Sequence, residues 1–119
     1  MARTTLSITP IVNSGVAFVG AAPDATNGNA LPNNGRQMLV YKNADSGSHT
    51  VTIKAYPNGG APDGLTVSDK VVTIAAGATE VIGPFPPSIY NDAANNVYLD
   101  YSSAVSQTQQ AFTFSANPG

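Results

Sequence analysis

Apolar and polar residues alternate in several short runs of this 119-residue chain, and no stretch free of Gly or Pro repeats its apolar positions with a helical period. The clearest run is SHTVTIKAY, Ser48–Tyr56, with Val51, Ile53 and Ala55 on one side and Thr50, Thr52 and Lys54 on the other. Successive side chains of a strand point to opposite faces, so this run predicts a strand with one buried and one wet face. RQMLVYKN, Arg36–Asn43, predicts a second strand, and the intervening NADSG has the turn chemistry to join the two as an antiparallel hairpin. Further strands are predicted over Thr4–Thr9, Gly15–Val19, Lys70–Ile74, Thr79–Ile82, Val97–Ser102 and Gln110–Ser115, about eight in all. AAGA, residues 75–78, is suited to a tight turn, and at most one turn of helix is expected near Pro87–Asp92.

The longer connections, residues 22–35, 57–64 and 83–96, are polar and rich in Gly, Pro, Asn and Asp, as surface loops are. Many short strands separated by such loops predict an all-β fold, an antiparallel two-sheet sandwich of jelly-roll-like type. An immunoglobulin-type sandwich is disfavoured because the chain has neither Cys nor Trp for the usual core pattern. Residues 1–119 make one domain, with residues 1–10 either an extended N-terminal arm or an edge strand.

Charge changes this picture in one respect. Only 10% of the residues are charged, well under the roughly 25% usual in soluble domains, and the net charge is -2. The basic residues Arg3, Arg36, Lys42, Lys54 and Lys70 form no stripe, which argues against nucleic acid as a partner. A weakly charged surface tolerates dense packing beside copies of itself or another protein. The N-terminus lacks the apolar core of a secretion signal and no stretch is apolar enough to span a bilayer, so no membrane partner is expected. The absence of Cys suits synthesis in a reducing cytoplasm.

Candidate chemistry is sparse. His49 is the single histidine and is expected at a surface or turn position, with no catalytic triad and no transition-metal site. No cofactor is expected. Asp100 alternates with Tyr98 and Ser102 on a polar strand face, and Tyr98 and Tyr101 fall on opposite faces, one toward the core and one toward the surface. Asn91, Asp92, Asn95 and Asn96 offer oxygen ligands for a hard cation such as calcium, but their spacing is that of an ordinary Asx turn. No pair of acids is set close enough in sequence to announce a glycosidase. The chain is therefore read as a non-enzyme.

The most individual stretch is IGPFPPSIYND, residues 82–92, where Pro84, Pro86 and Pro87 stiffen the backbone around Phe85. Two readings stand side by side. Phe85, Ile89 and Tyr90, together with Arg3, are partner-contact residues on a preorganised loop, or the three apolar ones cover an open end of the sandwich core.

At this stretch the succession VVTIAAGATEVIGPFPPSIYND, followed by VYLDYS, resembles the small β-sandwich head decoration, or cement, proteins of tailed double-stranded DNA bacteriophages. The likeness covers residues 36–103 best, and TTLSITPIVNSGVA is in keeping with it. The resemblance implies a structural virion protein on the outer capsid surface, made in the host cytoplasm, that binds the major capsid protein and stabilises capsomer contacts. It also implies a homo-oligomer, a trimer or dimer, on the capsid. The alternative is a tail, fibre or receptor-binding module of similar build, and after it a carbohydrate-binding module.

Overall fold

The computed structural model describes residues 3–12, 14–55 and 68–113. It is nearly all β, with two sheets facing each other across one core. In chain order the elements are β1 (Thr4–Thr5), β2 (Ile8–Pro10), β3 (Asn29–Pro32), β4 (Gln37–Asn43), β5 (His49–Ile53), β6 (Lys70–Ile74), β7 (Thr79–Ile82), α1 (Pro87–Tyr90), β8 (Asn96–Tyr101) and β9 (Gln107–Thr113). One sheet has the order β1-β3-β8-β5-β6 and the other β2-β9-β4-β7.

Alternation decides which side chains face inward. Leu39 and Tyr41 of β4, Val51 and Ile53 of β5, Val97, Leu99 and Tyr101 of β8 and Ala111 of β9 are buried in the common core, with Leu31, Ile74, Ile82 and Phe85. Tyr41 and Tyr101 stack across the sandwich with ring centroids 5.9 Å apart. The residues between them in sequence, such as Met38, Val40, Tyr98 and Asp100, lie on the outer faces.

The hairpin expected between the strands around Leu39 and Val51 does not form. After Asn43 the chain turns through residues 44–48 and enters the opposite sheet, so β4 pairs with β7 and β9 while β5 pairs with β6 and β8. The turn at residues 75–78 is tight, closed by the Ala78 N–H on the Ala75 carbonyl (3.0 Å), yet it also crosses between sheets. Gly77 adopts φ +74 there, a backbone state that side chains with a Cβ resist. The two crossings lie side by side: Lys42 pairs with Thr79 on one side and His49 with Ile74 on the other. The unit is thus one long antiparallel ribbon folded over the core. A flat hairpin would set Leu39, Tyr41, Val51 and Ile53 in one sheet face, whereas the folded ribbon lets them bury one another.

Three further expectations are corrected. Thr4–Thr9 is not one strand: β1 runs parallel to β3 at one edge of the larger sheet, and β2 runs parallel to β9 at an edge of the smaller. These two N-terminal pairings depart from the otherwise antiparallel ladders, because the segment crosses between sheets at Leu6 and Ser7, with Leu6 and Ile8 packed on the core. Gly15–Val19 has no strand ladder. Asn29–Pro32, read as loop, is strand β3, whose Leu31 is wholly buried. The single turn of helix near Pro87 is present, and the predicted strand ends at Tyr56 and residues 114–115 lie outside the described residues.

Candidate functional site

The stiff loop after β7 closes one end of the core. Phe85 is only 3% exposed, and its ring meets Tyr90 edge-on at 6.5 Å. Its carbonyl accepts a hydrogen bond from Asn33 Nδ2 (2.9 Å), and Asn33 and Asn91 bond reciprocally through Nδ2–Oδ1 (2.7 Å) and Nδ2–carbonyl (3.0 Å) contacts. Phe85 is therefore a core plug, the second of the two readings of this loop. Ile89 and Tyr90 are half-buried beside it. An open groove of about 310 Å³ remains there, lined by Ile53, Lys70, Val72, Ile82 and Pro84 among others.

Arg3 is also engaged within the chain. Its guanidinium sits 4.5 Å from the Tyr98 ring centroid and donates to Asp100 Oδ1 (2.7 Å) and to the Leu99 carbonyl (3.2 Å). Gly28 makes room for it, since a Cβ at that position would collide with the guanidinium and with the Asp100 carboxylate. Tyr98 in turn donates to Asp92 Oδ2 (2.5 Å), whose other oxygen accepts the Ala94 and Asn96 N–H groups. Burial pushes the Asp92 carboxyl upward, but the Tyr98 hydroxyl and these N–H groups outweigh it and hold the group below its ordinary value. Asp92 and Asn95 thus build an Asx turn, with Asn95 at φ +65, and the Arg3–Tyr98–Asp100 set latches the N-terminus to β8. Tyr98 and Asp100 lie outward and Tyr101 inward, as alternation predicts.

The fold brings His49 beside both an acid and a serine, a juxtaposition the sequence does not disclose. His49 Nε2 lies 2.8 Å from Asp45 Oδ2, and Ser102 Oγ lies 3.5 Å from His49 Nδ1. Ser102 Oγ accepts the Thr50 N–H at 2.9 Å, which caps the end of the β5–β8 ladder, and it stands at the long end of hydrogen-bond range from the imidazole. The bond from His49 lowers the Asp45 pKa, with help from the Ser46 N–H. Together these groups tie the bend between β4 and β5.

The surface feature missed at the sequence level is an apolar strap over residues 11–12 and 14–20. Val12, Val16, Phe18 and Val19 are 47%, 37%, 39% and 80% exposed. The strap is held by Gln110 on the outer face of β9, whose Oε1 accepts the Val19 (2.6 Å) and Gly20 (3.1 Å) N–H groups and whose Nε2 donates to Thr9 Oγ1 (3.1 Å). Ala21 then bridges Gln109 by two backbone bonds, 2.9 and 2.8 Å. A side chain takes the place of a ladder, and the predicted strand over Gly15–Val19 is unpaired. The available signal was the run from Thr4 to Pro23, which contains no charged residue.

Among the described residues no group of three or more His, Asp or Glu is placed to hold a metal ion, and no helix is long and apolar enough to cross a membrane. No family model, curated protein or solved structure matches this chain.

Proposed function

We propose that this chain is a non-enzymatic virion component that binds the outer surface of a bacteriophage capsid and stabilises the contacts between capsomers. The observation that carries the reading is the uncharged strap, with Val12, Val16, Phe18 and Val19 turned to solvent on a folded sandwich. Exposed apolar groups held on a defined backbone bind at low entropic cost, which suits a docking element. The resemblance of residues 36–103 to head decoration proteins supplies the identity of the partner, the major capsid protein. The assignment moves the contact from Phe85 and Arg3, both engaged inside the chain, to the strap.

A clamp across a capsomer seam forces two interfaces to open together, which multiplies modest affinities by about 100-fold or more. The test is to assemble particles with and without the protein and to heat them. Particles lacking it are expected to keep their shape but release DNA at lower temperature, and Val19→Lys is expected to abolish rebinding while the free domain melts unchanged. Equal heat resistance with and without the protein overturns the stabilising role and moves a tail or receptor-binding module ahead. A glycan array distinguishes the carbohydrate-binding reading.

A further inference from the structure

On the side of the sandwich away from the N-terminal strands, both sheets end in a strand whose outer edge pairs with no strand among the described residues: β6 in one sheet and β7 in the other. Such edges invite strand addition unless they are blocked. Here Val71 and Val81 stand 56% and 64% exposed on the outer faces.

The hydrogen-bond parity of these edges is fixed by the interior ladders. The Thr50 carbonyl and the Lys54 N–H bond toward β8, so Thr50 and Thr52 turn their backbone groups away from β6. It follows that Val72 bonds to Val51, while Val71 and Thr73 direct their N–H and C=O groups outward. In the other sheet the Asn43 N–H bonds the Ala78 carbonyl, so Glu80 faces β4 and Thr79 and Val81 direct theirs outward.

We infer that a second copy of this chain docks on this side, with β6 of each copy pairing antiparallel to β7 of the other. The two strands run in opposite directions within one copy, since each pairs antiparallel to one arm of the folded ribbon. A two-fold axis along the strands then closes both pairings at once and leaves no open edge on that side. In the register that sets Val71 opposite Val81 of the second copy, Thr73 falls opposite Thr79, and both pairs unite outward-directed backbone groups. The outer face gains a valine pair and a threonine pair, each a favourable cross-strand combination. On the inner face Lys70 and Glu80 of the second copy become diagonal neighbours within reach of long side chains, and neither has an ion pair within its own chain among the described residues. Pairing β7 with β7 instead sets Glu80 opposite itself or leaves it without a cation, and pairing β6 with β6 leaves Lys70 without an anion. The contact is small, so a dissociation constant of roughly 10–100 µM is expected.

This inference holds whether or not the protein binds a capsid. Because the chain has no cysteine, it can be tested by mixing the single-cysteine variants Val71→Cys and Val81→Cys under mild oxidation. The expected product is the mixed cross-linked dimer, with little self-linked dimer of either variant. In sedimentation equilibrium up to about 1 mM, the wild-type chain is expected to dimerise, Lys70→Glu and Glu80→Lys each to weaken the dimer about tenfold, and the double reversal to restore it. A wild-type chain that stays monomeric at 1 mM, self-linked products as abundant as the mixed one, or association indifferent to the charge reversals would each overturn the proposal.

Discussion

Asn43 and Gln107 meet in the core corner of the sandwich, where Gln107 Nε2 donates to Asn43 Oδ1 at 2.6 Å and both residues are buried. Asn43 uses its remaining capacity to hold the bend between β4 and β5. Its Nδ2 reaches the carbonyls of Gly47 (2.9 Å) and Ile74 (3.0 Å), and its Oδ1 also accepts the Asp45 N–H (3.0 Å). One side chain therefore joins β9, the bend after β4 and the end of β6, the places where the folded ribbon crosses from sheet to sheet.

Replacing Asn43 by Leu keeps the number and branching of side-chain heavy atoms but strands these partners in the interior, where each unmet polar group costs about 1–3 kcal/mol. The expected loss is about 3 kcal/mol or more, read as a fall in the denaturant midpoint. A loss under about 1 kcal/mol would mean that the corner does not depend on this residue.

Val51 is wholly buried, whereas Thr52 faces outward opposite Asp100. Val51→Asp places an unpaired charge in the core and is expected to cost at least about 4 kcal/mol. Thr52→Asp meets a like charge across the strands and should cost about 0.5–1 kcal/mol, while Thr52→Lys should be close to neutral. Equal melting losses for Val51→Asp and Thr52→Lys would show the register of β5 to be wrong.

Removing the latch should be felt locally. Arg3→Ala deletes an ion pair with partly exposed members and a cation–π contact, together worth about 1 kcal/mol. Hydrogen exchange of β1 is expected to accelerate while that of β4 and β9 stays as it was. Uniform acceleration would make Arg3 a determinant of global stability instead.

The pH profile has two predicted limbs. Asp45 and Asp69 are held below the ordinary value of 3.8, the first by the His49 bond and the second by the Lys54 bond, with backbone N–H groups adding to each. Lowered carboxyl pKa values give stability that is complete above about 4 and lost as pH falls through the folded-state values. At the other end, burial pushes Tyr41 up to about 12 and Tyr101 higher still, so the stability tied to their neutral forms is complete below 10 and lost as pH climbs above it. Ultraviolet titration should therefore show two tyrosines ionising only together with unfolding. Five tyrosines titrating freely near pH 10 would contradict the burial of this stacked pair.

Alternation alone determined much of this molecule. The faces of β4, β5, β8 and most of β9, the outward Asp100 and the inward Tyr101 follow from the two-residue period, because a strand with one buried face has to write it into the chain. What alternation did not carry was the partner of each strand. NADSG reads as a hairpin turn and AAGA as a tight turn, and only the need of Leu39, Tyr41, Val51 and Ile53 for a facing layer makes both of them crossings between sheets, with Asn43 satisfying the corner. The same holds for the candidate contacts. Phe85 and Arg3 stood out by composition, yet the open end of the core took the first and Tyr98 with Asp100 took the second, while Gln110, a residue with no sequence signature, set the apolar strap in place. Local pattern fixes which face of a strand is buried; which strand lies beside it depends on contacts far apart in the chain.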